Sequence, residues 1–174
     1  MSMGRSPIIA LTRRTFSMTE AMKACPPKPG LTVISSTISG NSAARGGGIL
    51  VMPLSRSVAI RNSTITGNTA QAGGGIFADE PYDPLLVELQ STILAGNTAP
   101  GGADIGTGDR LAIYGANNLV LAVGTGIVLP GDTLQVDPKL APLADNGGPT
   151  RTHALAADSP ALDAGNDYFG LGTD

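Results

Sequence analysis

The chain has 174 residues, a formal net charge of −3, 24 glycines and no tryptophan, and only 14% of its residues are charged and 3% aromatic. This length suits one domain, and the scarcity of aromatic rings requires a core of aliphatic and β-branched side chains. Without a basic stripe, the acidic balance argues against nucleic acid as a partner. No run approaches 18 consecutive apolar residues, so the sequence predicts no transmembrane helix.

Residues 1–30 differ from the rest of the chain. They carry five basic residues against one acidic residue, a net charge of +4, and the single cysteine, Cys25, beside three prolines. The apolar stretch 7–11 is too short for the core of a signal peptide, and two arginines follow it closely. We interpret residues 1–30 as a non-repeat segment that is disordered or reflects a misassigned start.

A block of similar sequence recurs three times. It reads STISGNSA at 36–43, STITGNTA at 63–70 and STILAGNTA at 91–99, where Ala95 is one extra residue. The first two copies lead into GGGILV and GGGIFA. A period of this size indicates stacked supersecondary units. Glycine and proline interrupt the chain too often for long helices, whereas the alternation in STITGN is typical of a half-buried strand.

Each period divides into three short extended pieces separated by corners, the pattern of a right-handed parallel β-helix. We therefore predict an all-β solenoid of about three to four coils over residues 31–134, with an irregular C-terminal cap over 135–174. Strands at 111–114 and 126–129 are assigned to a fourth, degenerate coil.

Stacked coils place like residues on like residues. The isoleucines of the three blocks are predicted to form an internal aliphatic ladder. The asparagines are predicted to form a corner ladder, because asparagine tolerates left-handed backbone and its amide can bond to the next coil. The residues of the two ladders are Ile38, Ile65, Ile93, Asn41, Asn68 and Asn97.

The tail carries the most specific motif. It reads DPKLAPLADNGGPT at 137–150, THAL at 152–155 and DSPALDAG at 158–165. This sequence closely resembles the choice-of-anchor Q domain of bacterial surface and secreted proteins, which follows β-helix repeats like those of polymorphic outer-membrane proteins. The resemblance covers residues 31–174. It implies an extracellular or cell-surface location and a β-helix that acts as a passenger or stalk, and it supplies no established catalytic residue.

Two departures from that family stand out. Family members continue past the D-A-G motif through a T-D-Q-R-G element, whereas this chain stops at Thr173 and Asp174. At the front, Leu31 enters the pattern in the middle of a coil. We therefore expect a piece of a longer protein. A short solenoid with uncovered ends exposes strand edges, so we also expect self-association through those edges.

Acidic residues are the candidates for chemistry, because many β-helices bind or cleave polysaccharides. A lyase needs clustered acidic Ca²⁺ ligands beside a basic residue, and a glycosidase needs two carboxylates a few ångströms apart. The acids of the repeats do not recur at the period, and for those around Tyr82 a solvated insertion is the favoured interpretation. The candidate Ca²⁺ or glycan ligands are Asp79, Asp83, Asp104 and Asp109.

His153 is the only histidine, and with Asp145 or Asp163 it could form an acid–base pair. Its place in the THAL motif favours a packing or hydrogen-bonding role instead. One histidine and one cysteine cannot build a transition-metal cluster. We predict no catalytic residue, no metal and no cofactor, with Ca²⁺ as the single alternative.

Two functions remain open. The first is a non-catalytic stalk or adhesin-like segment that contacts glycans or proteins at the cell surface. The second is a carbohydrate-active β-helix enzyme, either a polysaccharide lyase or a glycoside hydrolase. Convergence of the four candidate aspartates within about 6 Å beside Arg110 would favour the enzyme.

Overall fold

The computed structural model describes residues 30–52, 57–79, 85–108 and 111–166. These residues form a parallel β-solenoid of about three to four coils, as predicted. The strands of coils 1 and 2 are β1 (Leu31–Ile34), β2 (Thr37–Ser39), β3 (Ser42–Arg45), β4 (Ile49–Val51), β5 (Ser57–Arg61), β6 (Thr64–Thr66), β7 (Thr69–Ala72) and β8 (Ile76–Ala78). Those of coils 3 and 4 are β9 (Leu85–Gln90), β10 (Ile93–Ala95), β11 (Ile105–Thr107), β12 (Leu111–Ala116) and β13 (Leu119–Val120).

Equivalent strands of successive coils pair into four parallel sheets. Sheet A has the order β1-β5-β9-β12, sheet B β2-β6-β10-β13, sheet C β3-β7 and sheet D β4-β8-β11. Isolated bridges continue sheet C into coil 3 at Thr98 and Gly101, and sheet D into coil 4 at Val123. Each coil therefore stands on the one before it at the usual strand spacing of about 4.8 Å.

A glycine bend divides the recurring block into two strands. Gly40, Gly67 and Gly96 have φ angles of +71°, +65° and +71°, so the chain turns there between sheets B and C. The prediction of three strands per coil is therefore wrong, because coils 1 and 2 each have four. The prediction that asparagine takes the left-handed conformation at this corner also needs correction. The glycine before each of these asparagines has the left-handed conformation instead, because a residue without Cβ adopts it at little cost.

The aliphatic ladder of sheet B contains Leu94 at the position where Ile93 was predicted. Ile38 pairs with Ile65, Ile65 with Leu94, and Leu94 with Val120. The last three side chains are completely buried. Ile93 instead occupies the outward-facing position next to Leu94, where it is only partly buried.

The register explains this correction. Equivalent residues of coils 1 and 2 are 27 positions apart, as Val51 and Ala78 are. Those of coils 2 and 3 are 29 positions apart, as Val58 and Val87 are. Two additional residues therefore lie between Ala78 and Val87, in the stretch that contains the acidic residues around Tyr82. They do not lie at Ala95, which stays in register within sheet B.

Residues 121–134 close the C-terminal end of the core. Leu134 bridges to Leu119 as the next position of sheet B. Gly126 has a φ of +81° in a turn, so the strand predicted at 126–129 is absent. Three partly buried side chains of this segment pack against the buried core, namely Val123, Ile127 and Leu129.

The tail, described over 135–166, runs back beside the coils along the outer face of sheet B. His153 Nε2 lies 2.9 Å from Ser39 Oγ in coil 1, and the backbone N–H of Asn166 donates to Ser91 Oγ in coil 3 at 2.9 Å. Three outward-facing residues of sheet B are consequently buried, namely Thr66, Ala95 and Leu119.

The corner that follows sheet C provides a stability test. Gly73 has a φ of +58°, and a Cβ there would lie 2.3 Å from the carbonyl oxygen of Ile76. We expect Gly73→Ala to lower the free energy of unfolding by about 1–3 kcal/mol through the backbone conformation alone, with the clash adding to this. Urea denaturation measures the effect. The control Gly131→Ala, whose added Cβ meets nothing within 4 Å, should change stability by less than about 0.5 kcal/mol. Equal losses in both variants would contradict this account of the corner.

Candidate functional site

A row of asparagines runs along the inner side of the corner between sheets B and C. Asn68 Oδ1 accepts hydrogen bonds from the backbone N and Nδ2 of Asn41 at 3.0 and 2.9 Å. Asn97 Oδ1 accepts the same two bonds from Asn68, again at 3.0 and 2.9 Å. Nδ2 of Asn68 and of Asn97 also donates to a carbonyl of the preceding coil, at Ile38 and Ile65. The row thereby joins coils 1, 2 and 3.

Asp104 ends this row where a fourth asparagine would otherwise stand. Its Oδ1 accepts from the backbone N and Nδ2 of Asn97 at 3.2 and 2.8 Å, and its Oδ2 accepts from the backbone N of Ala122 at 2.7 Å. The residue is 1% exposed. Both carboxylate oxygens are thus engaged by N–H donors of the chain itself. This geometry favours a structural role for Asp104 over the predicted Ca²⁺ or glycan site.

The sequence contains a signal for this role in the change from GGG to GAD. Ile105 pairs with Ile76, which aligns Asp104 with Gly75, the third glycine of the GGG motif. A Cβ at Gly75 would lie 3.0 Å from Asn97 Nδ2, because the asparagine of the next coil fills that space. In coil 3 the aspartate side chain fills the corresponding space itself. The GAD sequence therefore marks the coil at which the asparagine row stops.

Burial raises the pKa of the Asp104 carboxyl above its usual range, and the hydrogen bonds from the Asn97 side chain and from the backbones of Asn97 and Ala122 act in the opposite direction. Desolvation, which disfavours the charged form of the carboxyl, is the largest of these effects. The buried carboxylate therefore carries an electrostatic cost that its three donors only partly offset.

Asp79 forms an ion pair between the ends of sheets C and D. Its Oδ2 lies 2.6 Å from Arg45 Nη1, and the Arg45 guanidinium stands 5.7 Å from the centroid of the Phe77 ring. Asp79 follows the last residue of β8, whereas Asp104 precedes the first residue of β11. The two aspartates therefore lie at opposite ends of sheet D, about 13 Å apart along the strand direction. They do not converge on one site.

The other candidate ligands, Asp83 and Asp109, lie outside the described residues, as does Arg110. Because Asp79 and Asp104 lie at opposite ends of sheet D, the four aspartates do not converge within about 6 Å, and the roles of Asp83 and Asp109 as ligands stay predictions. Within residues 30–52, 57–79, 85–108 and 111–166, no group of three or more His, Cys, Asp and Glu side chains could hold a metal ion.

The outer face of sheet A carries a polar cluster that was not predicted from the sequence. Arg61 Nε and Nη2 donate to the two carboxylate oxygens of Glu88 at 2.9 and 2.8 Å, and Glu88 pairs in register with Tyr114 of the next coil. The Arg61 and Glu88 side chains are 21% and 16% exposed. We call these three residues the Arg–Glu–Tyr cluster. Arg61 pairs in register with Gln90, and Glu88 lies two residues earlier on the same face of β9, so the repeat spacing did not point to this pair.

The cluster is suited to binding. The hydrogen bond with Glu88 raises the pKa of Arg61, although desolvation opposes this shift. Burial, followed by the negative charge of Glu88, raises the pKa of Tyr114. Arg61 therefore stays charged and Tyr114 stays protonated at neutral pH. Together they offer an aromatic ring, a phenolic hydroxyl and a charge-assisted pair to a polar partner.

His153 holds the tail against coil 1. Its Nδ1 lies 2.8 Å from the carbonyl oxygen of Ala141, which can only accept, so this nitrogen donates. In the neutral ring, Nε2 then accepts from the hydroxyl of Ser39. Both nitrogens are thus engaged by groups other than Asp145 and Asp163, and the geometry agrees with a hydrogen-bonding role rather than with an acid–base pair.

A cavity of about 290 Å³ lies between coils 3 and 4 and the tail. Its wall includes apolar side chains such as Ile93 and Leu119, together with Asp132, whose Oδ2 accepts from the backbone N of Asn117 at 2.9 Å. Asp132 is the only titratable residue among the described residues that line it. This part of the chain therefore does not give the cavity the pair of carboxylates that glycoside hydrolysis requires.

Comparison of the chain with protein-family models, with curated proteins and with solved structures finds no match. Nothing in the described part of the chain is a helix long and apolar enough to cross a membrane. The fold, the side-chain geometry and the tail motif are therefore the basis on which a function can be proposed.

Two asparagine-to-alanine substitutions in the row are expected to differ strongly in their effect on the free energy of unfolding. Asn68 is completely buried, and Asn68→Ala leaves several N–H and C=O groups of coils 1 to 3 without partners. At about 1–3 kcal/mol for each unsatisfied group, we expect a loss of at least about 3 kcal/mol in the free energy of unfolding. Asn41→Ala, at the exposed end of the row, is the matched control and should cost less than about 1 kcal/mol. Urea denaturation distinguishes the two, and similar losses would contradict the role of the row.

Asp104 predicts a pH dependence of stability. Its raised pKa means that the folded protein binds this proton more readily than the unfolded chain, so its contribution to stability falls as the pH rises from the ordinary value of 3.8 through the folded-state pKa. Relative to Asp104→Asn, the native protein should therefore gain stability as the pH falls from neutrality towards 3.8. Denaturation of both proteins across this range measures the difference. A difference that is constant, or that shrinks as the pH falls, would contradict the assignment.

Proposed function

We propose that this chain is a non-catalytic part of a bacterial surface or secreted protein, in which the β-solenoid serves as a stalk or adhesin-like segment. The tail motif supports this proposal through its resemblance to the choice-of-anchor Q domain. That resemblance also supports an extracellular or cell-surface location. The contact surface we propose is the outer face of sheet A, and the partners are glycans or proteins.

The observation that carries the proposal is the contrast between the inner wall and this outer face. The polar side chains of the wall bond to one another, as Asn68, Asn97 and Asp104 do. The Arg–Glu–Tyr cluster instead lies on the outside, where its side chains are partly exposed. The strands of sheet A pair in register over all four coils, so the cluster lies on the outer face of one continuous parallel sheet.

The chemistry of the cluster fits a glycan or a polar protein surface. A tyrosine ring can pack against the apolar face of a sugar, and its hydroxyl can bond to a polar neighbour. The carboxylate and guanidinium groups of Glu88 and Arg61 can bond to hydroxyl or carboxylate groups of the partner. Sheet B is less accessible to a partner, because the described part of the tail covers its outer face.

The carbohydrate-active enzyme is the less favoured alternative. The two described candidate aspartates are already engaged, Asp79 by Arg45 and Asp104 by Asn97 and Ala122. They also lie at opposite ends of sheet D. Incubation of the protein with pectin and Ca²⁺ tests this alternative directly. Unsaturated product that absorbs in the ultraviolet would replace the stalk proposal with a lyase.

Binding to a panel of immobilised oligosaccharides and extracellular proteins tests the proposed surface. We expect the native protein to bind at least one member, and Tyr114→Ala to weaken that binding by about tenfold or more, which corresponds to about 1.4 kcal/mol. Arg45→Ala at the end of sheet C is the matched control, because it also removes a partly exposed side chain from the solenoid surface. Binding that Arg45→Ala weakens and Tyr114→Ala leaves unchanged would place the contact elsewhere, and no binding at all would contradict an adhesin-like role.

A further inference from the structure

A short hairpin of the tail holds an asparagine that is followed by glycine. Ala144 and Thr152 pair antiparallel through two backbone hydrogen bonds of 3.0 Å, and we call residues 144–152 the tail hairpin. All of these residues are described, and Asp145 and Asn146 at the turn are exposed to solvent. Among the asparagines of the chain, only Asn146 precedes a glycine. The tail hairpin therefore presents one asparagine in a setting that the others do not share.

The backbone nitrogen of Gly147 can act as a nucleophile towards the Asn146 side chain. Only C, Cα and Cβ of Asn146 separate this nitrogen from Asn146 Cγ, so a bond between the two atoms closes a small cyclic imide. An attack within one dipeptide needs no second molecule to be brought into place. Gly147 has a φ of +92°, and a Cβ there would meet nothing within 4 Å. The nitrogen is therefore not obstructed by a side chain of its own or by neighbouring atoms.

Asp145 is placed to take the proton of this nitrogen. The backbone N–H of Gly147 donates to Asp145 Oδ1 at 3.0 Å. A general base must lie within about 2.6–3.2 Å of the atom whose proton it removes, and the carboxylate of Asp145 meets this condition. The hydrogen bond draws the proton away from the nitrogen, so the nitrogen gains electron density for its attack on Cγ.

The nitrogen that would leave is also positioned by the hairpin. Asn146 Nδ2 donates to the carbonyl oxygen and to Oγ1 of Thr152, each at 3.0 Å. These two contacts direct the side-chain amide across the turn. Once the Gly147 nitrogen has added to Cγ, Nδ2 is an amine with a free lone pair. The Thr152 hydroxyl can then donate to Nδ2 as well as accept from it, and so assist its departure.

We propose that Asn146 is a self-modification site, at which the folded tail hairpin promotes deamidation. The bond from Gly147 N to Asn146 Cγ forms while Asp145 takes the N–H proton. The bond from Cγ to Nδ2 then breaks, and ammonia leaves with that proton. Water opens the cyclic imide at either of its carbonyl groups and produces aspartate or isoaspartate at this position. The reaction consumes water alone, and it does not depend on the partner proposed for sheet A.

The products weaken the attachment of the tail to the coils. A carboxylate at position 146 has no N–H, so it faces the carbonyl oxygen of Thr152 as a second acceptor. Isoaspartate also adds a methylene group to the backbone of the tail hairpin. His153, which follows Thr152 directly, lies 2.9 Å from Ser39 of coil 1 through its Nε2. Deamidation therefore loosens the segment that holds the tail over the outer face of sheet B.

Incubation of the full chain at neutral pH, followed by peptide mass mapping and detection of isoaspartate, tests the reaction. We expect Asn146 to deamidate faster than Asn41, which is also exposed but precedes a serine. Asp145→Ser should slow the reaction at Asn146 by at least about tenfold, since a positioned general base contributes about 10²–10⁴-fold. The serine hydroxyl can accept the same backbone N–H bond, so the turn is kept while the base is removed.

Two controls make this test specific to the hairpin. Asp158→Ser removes another exposed carboxylate of the tail, which bonds to Lys139, and should leave the rate at Asn146 unchanged. The chain unfolded in urea should deamidate at Asn146 more slowly than the native protein, because unfolding separates Asp145 and Thr152 from the reacting atoms. Equal rates in the native protein and Asp145→Ser, or a faster reaction in the unfolded chain, would overturn the proposal.

Hydrogen exchange measures the consequence for the tail. Asn146→Asp reproduces the aspartate product without the reaction. The backbone N–H groups of Thr152 and Ala156 donate to the carbonyl oxygens of Ala144 and Lys139, and their exchange reports on the opening of this segment. We expect exchange in Asn146→Asp to be at least about tenfold faster than in the native protein, because two hydrogen bonds of the hairpin are lost. Unchanged exchange at both amides would overturn the proposed effect on the tail.

Discussion

The structure depends on one constraint: the asparagine amides inside the wall bond to groups of the neighbouring coils. Asn68 satisfies it on both sides, because its Oδ1 accepts from Asn41 and its own N–H groups donate to Asn97 and to Ile38. A one-residue slip between coils would leave these groups buried without partners, at a cost of about 1–3 kcal/mol each. The row therefore sets the register of sheets B and C, and the aliphatic rows follow it.

The same constraint determines where the chain can contain extra residues and how the asparagine row can end. The two extra residues between coils 2 and 3 lie between Ala78 and Val87, away from the asparagine corner, so the row is unaffected. At the end of the row, Asp104 supplies from its own coil the acceptor that the next coil lacks. Loss of hydration raises the pKa of this buried carboxyl, which is the cost of ending the row with a charged group.

The outer faces of the sheets are used differently. Sheet B is covered by the tail, which His153 holds to Ser39 in coil 1 and Ser91 holds at Asn166. The described part of the tail leaves sheet A uncovered, and this sheet carries the Arg–Glu–Tyr cluster. The outer face of sheet A is therefore the surface on which we propose that a partner binds.

Sequence alone determined the class of fold, because a 27-residue repeat that contains short alternating strands and glycine corners can bury its apolar residues only by stacking. It also identified the asparagine row, since asparagine recurs at each corner. Tertiary structure decided the details of register: Leu94 rather than Ile93 continues the aliphatic ladder, because the Asn97 corner and not the start of the block sets the alignment. It also decided that Asp104 accepts hydrogen bonds from Asn97 and Ala122 and that Glu88 meets Arg61, since these contacts join residues of different coils or depend on which face of a strand a side chain occupies.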